Sequence, residues 1–173
     1  AFRYAQAIAK AGGQVSLFIA KRTSDELGFQ CNGDGFDVIA PTSQPATGAL
    51  GLLLRQTKVL RECLDQKKFD LVHLHGTWSP ILAIAAHTAY SRHIPFVVSP
   101  HGCLEPWALE HRKLKKQIAL AVYQRRVLNN ALMLVASANQ ELASVRAIGL
   151  TSPVAVLPNG VDMVANLQKY AGN

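Results

Sequence analysis

Two hydrophobic rhythms alternate along this chain. Short apolar or β-branched runs at residues 15–20, 36–40, 71–75, 96–99, 132–136 and 154–157 predict strands. Between most of them, apolar positions return every three or four residues. Phe2, Ala5, Ile8 and Ala9 predict a helix that stops at Gly12-Gly13, and Leu52, Leu53, Val59, Leu60, Cys63 and Leu64 predict a second. Ile81, Ile84, Ala85, Thr88 and Ala89 line a third, and Leu142, Val145 and Ile148 line one that ends at Gly149. A long basic helix is predicted from about 106 to 129, with Pro106 near its first turn; Leu114, Ile118, Ala121, Val122 and Leu128 line it, and the stripe at Leu114, Ile118 and Val122 is expected to face the sheet.

Strands that alternate with amphipathic helices predict right-handed βαβ crossovers and an α/β fold around one doubly wound parallel sheet. The polar, glycine-bearing stretch 23–35 and the proline- and glycine-containing stretch 41–51 read as loops, the latter either a binding edge or a plain connection. A sheet protein rarely opens on a bare helix, so a strand and its loop are expected upstream of Ala1. The chain shows no internal repeat and no low-complexity tract.

Composition narrows the picture. The 173 residues are 49% hydrophobic and 17% charged, enough for one domain with a real core. The balance of 18 Lys and Arg against 11 Asp and Glu, a net +7, favours anionic partners. Cys31, Cys63 and Cys103 are odd in number and lack metal-ligand spacing, so the expectation is reduced thiols in the cytoplasm and no metal. No apolar run reaches the ~18 residues a transmembrane helix needs.

In an open parallel sheet, ligands bind past the carboxyl ends of the strands, where helix N-termini also point their free amides. Four groups fall there: His75-Gly76, His101-Gly102, Ser137 and Asn159-Gly160. His73 and His75 share one side of their strand and serve equally well as bonded core residues or as ligands' partners. Ser137 with Gln140 fits a helix capping box, and Asn159-Gly160 fits a tight turn. His101 stands apart from these. Between Pro100, which lacks an amide hydrogen, and Gly102, it is badly placed for packing and well placed for chemistry.

Five segments in order carry a resemblance. DLVHLHGTWSP at 70–80, IPFVVSPHGCLEPWAL at 94–109, KLKK at 113–116, SANQE at 137–141 and LPNGVD at 157–162 resemble the family 4 glycosyltransferases. The resemblance implies the GT-B architecture of two Rossmann-like domains facing across a cleft. Residues 1–162 correspond to the N-terminal, acceptor-side domain, 163–173 to the start of a linker or tail, and the donor-binding second domain lies outside the chain. It also implies retaining transfer from a nucleotide sugar, such as a UDP- or GDP-sugar, to a glycan or lipid-linked acceptor in surface or exopolysaccharide synthesis, with no other cofactor. His101 matches the turn that touches the donor sugar and Gly102 accompanies it, while Ser137 and Glu141 match positions lining the cleft. Asn159 and Gly160 match the turn near the domain junction, and His75 and Gly76 border the acceptor side. On this basis the fragment alone is expected to be inactive.

Arg112, Lys113, Lys115 and Lys116 form a basic patch on the long helix, either a solvated face or a contact for an anionic membrane or lipid-diphosphate acceptor at the inner face of the cell membrane. Trp78 and Trp107 are available to stack on a sugar or to pack. Nucleic acid is not expected, because basic and aromatic residues do not interleave. A dinucleotide-dependent dehydrogenase would carry GxGxxG, which does not occur here. The remaining alternative is a stand-alone sugar- or nucleotide-binding module.

Overall fold

The computed structural model describes residues 2–20, 36–39 and 48–160. The stretch 23–35, residues 41–47, Cys31 and the tail 163–173 lie outside these. The element order is α1 (Phe2–Lys10), β1 (Ser16–Phe18), β2 (Asp37–Ile39), α2 (Gly48–Gln66), β3 (Val72–His75), α3 (Pro80–Ser91) and β4 (Phe96–Ser99). It continues with α4 (Pro106–Glu110), α5 (Lys113–Ala119), a π-helical turn (Leu120–Gln124), α6 (Arg125–Asn130), β5 (Met133–Ala136), α7 (Asn139–Ala147) and β6 (Val154–Val156). Helix α2 begins at Gly48, so the end of the expected 41–51 loop is helical.

Among the described residues every strand pairing is parallel, but the strands form two sheets rather than the one expected. One has the order β1-β2 and the other β3-β4-β5-β6. The reason is local: among the described residues β1 and β3 each find a hydrogen-bonding partner on one edge only. Side chains tie the small sheet to the rest. Gln56 of α2 donates to the carbonyl of Ala20, and Lys67 bridges Ser16 and Asp37.

Strand alternation then sorts the faces. Leu74, Val98 and Leu134 are neighbours in register and share one core with Leu60, Leu64, Ile81, Ala85 and Leu128 from α2, α3 and α6. His73 and His75 point the other way, where Tyr4 of α1 packs edge-on against both rings. Helices therefore cover both faces, as a doubly wound sheet requires. All four residues of β4 are buried, which makes it the central strand. Leu128 and Leu134 have no exposed surface, and sequestering each contributes about 1.5–3 kcal/mol.

The long helix differs most from expectation. Arg112 has a left-handed backbone (φ 53°) and separates α4 from α5, and the π-turn follows directly on the seven residues of α5. In an unbroken α-helix Leu114 and Leu128, fourteen residues apart, would share a face at ~100° per residue. The wider turn absorbs an extra residue and swings everything after it round by about a quarter turn. Leu128 is consequently buried, whereas Leu114, Ile118 and Val122 are 70%, 55% and 73% exposed. The inward face is carried instead by Lys116, Leu120, Gln124 and Leu128.

The close of α7 follows the sequence closely. Gly149 sits at φ 77°, with its amide bonded to the carbonyl of Arg146 and that of Leu150 bonded to Val145, the double bond pattern of a glycine-capped helix end.

Candidate functional site

Parallel pairing puts the carboxyl ends of β3 to β6 on one rim, and the turns leaving them are built to a common plan. Strand β3 ends at His75 and turns through Gly76 (φ 97°), whose amide donates to the carbonyl of Ser99 at 2.8 Å. Strand β4 ends at Ser99 and turns through buried Pro100, then His101 (φ 52°) and Gly102 (φ 73°), two successive left-handed residues. For glycine this is free, but for histidine it costs roughly 1–2 kcal/mol. The chain therefore spends stability to aim this imidazole.

Glu141 shows how the turn is held. Its side chain is 1% exposed, and its Oε1 accepts the Gly102 amide at 2.7 Å. Its Oε2 accepts the amide of Ser137 at 2.7 Å and the Ser137 hydroxyl at 2.9 Å. One carboxylate thus fastens the turn after β4 to the turn after β5. Glu141 and Ser137 are joined to each other and to Gly102, and Glu141 supports the rim from beneath rather than lining a cleft. The expected pairing of Ser137 with Gln140 does not form. The N-cap of α7 is Ala138, and Gln140 donates to Glu105 at 3.1 Å.

Three histidines form a stack on the opposite side of the turn. His73 and His75 lie face to face at 4.2 Å, and His75 and His101 at 5.2 Å with planes 6° apart. His75 Nδ1 and His101 Nε2 are 2.9 Å apart, one donating and the other accepting, and His73 Nε2 pairs with the Ser99 hydroxyl at 2.7 Å. A nitrogen-to-nitrogen bond of this kind needs an unprotonated acceptor. Burial supplies that condition first and the neighbouring imidazoles second, pushing His75 down to about 3 from its ordinary 6.5 and lowering His73 as well. Burial also lowers His101, partly offset by the carboxylate of Glu141. The rings are neutral at pH 7. His101 is the exposed end of the stack, with Nδ1 as its remaining ring nitrogen.

Asn159 and Gly160 follow β6 at the same rim, are exposed, and stand apart from this network. The basic patch divides. Arg112 and Lys115 are exposed and Lys113 pairs with Glu110 at 2.9 Å, whereas Lys116 turns inward, donates to the carbonyl of Ala108 and lies 5.5 Å from the Trp78 ring centre. Trp78 is packed, its indole nitrogen donating to Cys103 at 3.0 Å, while Trp107 is 72% exposed. Tyr4 and Ser99 belong to the site without having been singled out in the sequence. A hydroxyl closing a buried strand was the available signal for Ser99, and nothing marked Tyr4. Among the described residues no group of three or more His, Cys, Asp or Glu is arranged to hold a metal ion. A cleft of about 730 Å³ lined by Gln14, Ser16, Asp37, Lys67 and their neighbours lies at the amino ends of β1 and β2, the far rim from His101.

A parallel α/β domain whose strand-to-helix turns share one carboxyl rim is Rossmann-like, and it resembles one half of a GT-B fold. A solved structure agrees: a UGT transferase from Siraitia grosvenorii in complex with UDP matches with a TM-score of 0.57 at 11% identity, over 98% of this chain and 50% of that one. This chain spans half the length of that protein. A search of curated proteins finds no match. The model of Glycosyltransferase Family 4 matches residues 1–164, and the chain belongs to that family.

Proposed function

We propose that this chain is the acceptor-side half of a retaining glycosyltransferase. It moves a sugar from a nucleotide sugar, such as a UDP- or GDP-sugar, to a glycan or lipid-linked acceptor in surface or exopolysaccharide synthesis. The protein works in the cytoplasm, and its donor-binding half follows residues 163–173. The observation that carries this reading is His101, held left-handed at the carboxyl rim of a family 4 chain. The UDP held by the Siraitia grosvenorii protein supports a nucleotide-sugar donor.

With Nε2 taken by His75, His101 offers Nδ1 to a sugar hydroxyl. Its depressed proton affinity suits an orienting group better than a titrating one. Such a group works by being in place before the substrate arrives. In the transfer, the bond from the anomeric carbon to the donor phosphate oxygen breaks and a bond to the acceptor oxygen forms on the same face. The acceptor's proton leaves with the departing phosphate. The test is His101→Ala in the full-length protein: turnover should fall about a hundredfold or more, the effect of losing one positioned group, with the fold intact and the thermal midpoint lowered only by the loss of the bond to His75. Wild-type turnover would remove His101 from the reaction. Tight nucleotide-sugar binding by residues 1–173 alone, without transfer by the full protein, would favour the binding module.

A further inference from the structure

We propose that the outward face of the segment from α4 through the π-turn is a docking surface for an anionic lipid bilayer. Leu114, Ile118 and Val122 follow one another at four-residue steps, each more than half exposed, and Trp107 adds a 72% exposed indole just ahead of them. Exposed apolar residues scattered singly are ordinary, but a row of aliphatic side chains on one helix is a patch that marks a contact. The π-turn makes this row spare: the core is filled by Leu120, Gln124 and Leu128, leaving the outer aliphatics with no packing role.

Charge identifies the occupant. Residues 111–130 contain no acidic side chain, and Lys113 and Lys115 flank Leu114, with Arg112 exposed immediately before. Glu110, the nearest acid, is paired with Lys113. An apolar row edged by long cations is the arrangement of a helix lying in a membrane interface, with the aliphatics entering ~5–10 Å and the cations reaching up to lipid phosphates. A second protein surface would need a matching acidic rim, whereas an anionic leaflet presents one everywhere. No described helix is long and apolar enough to cross a membrane. Surface attachment is the mode that fits.

The test is flotation of the full-length protein with phosphatidylcholine vesicles, with and without about 30% phosphatidylglycerol. The protein should float with the anionic vesicles, weakly with neutral ones, and less as salt rises. Replacing all three aliphatics (Leu114→Ser, Ile118→Ser, Val122→Ser) should lower partitioning by at least about a hundredfold. Lys113→Gln with Lys115→Gln should lower it by roughly 30-fold, and these exposed positions keep that variant folded should the apolar one fail. Absence of flotation by the wild type, or undiminished flotation of both variants, would overturn the proposal. So would an apolar variant that changes the oligomeric state but not flotation, which would make the row a contact between copies. Vesicle binding needs no sugar, so this outcome and that of the His101 experiment are independent.

Discussion

Glu141→Gln isolates the bond that holds the His101 turn. The two carboxylate oxygens are used unequally, Oε2 accepting twice from Ser137 and Oε1 once from Gly102. A glutamine in the same space keeps its oxygen where two donors meet and turns its NH2 toward the Gly102 amide. Donor then faces donor in a site 1% exposed, and a buried N–H left unpaired costs about 1–3 kcal/mol. Near 2 kcal/mol, the thermal midpoint of a domain this size falls by roughly 4–8 °C. Ser137→Ala removes the hydroxyl bond alone and leaves both backbone bonds, so about 1 kcal/mol is expected. Turnover distinguishes support of the site from general stability. With Gly102 released, His101 loses the left-handed geometry, and kcat should fall tenfold or more while the KM for donor changes little, as misplacing a positioned group by ~1 Å does. Thermal denaturation and steady-state kinetics of the full-length variants are the assays. A Glu141→Gln protein with wild-type midpoint and turnover, or a Ser137→Ala protein damaged more than Glu141→Gln, would refute the assignment.

Stability should depend on pH through the histidine stack. All three rings have lowered proton affinity when folded, so below about pH 6.5 the unfolded chain binds protons that the folded chain refuses, and stability is lost as pH falls toward 3, where His75 itself protonates. Urea midpoints should drop from pH 7 to pH 5, and a flat profile would contradict the burial of these rings. His75→Phe keeps an aromatic ring in the stack but deletes the bond to His101 Nε2; turnover should fall with a nearly unchanged midpoint, and unchanged kinetics would show that the bond does not orient His101. Leu128→Ala, at a site without exposed surface, should cost about 2–5 kcal/mol, whereas Leu114→Ala should cost under about 0.5 kcal/mol, a contrast that denaturant titration would check directly.

The strands were legible because a parallel core strand is apolar on both faces and short, which leaves little room for another reading. Phe96–Ser99 was found at its own boundaries, and the other strands differ from expectation by one or two residues at their ends. His101 was legible for a similar reason, since proline and glycine on either side constrain the backbone whatever surrounds it. Glu141 was not. In sequence a glutamate in the first turn of a helix is an ordinary surface residue, and its burial follows only from Gly102 arriving 39 positions away with an amide to satisfy. The long helix failed by a different route. Periodicity identifies an apolar face and then assumes that this face is the buried one. Here the π-turn breaks the phase between Leu114 and Leu128, and the inward positions include Lys116 before it, whose ammonium meets Trp78, and the buried Gln124 at its end. Apolar spacing reports that a helix has an apolar contact to make. Whether that contact is with its own sheet or with something outside the chain depends on which face the packed neighbours have already filled, and around α5 they filled the other one.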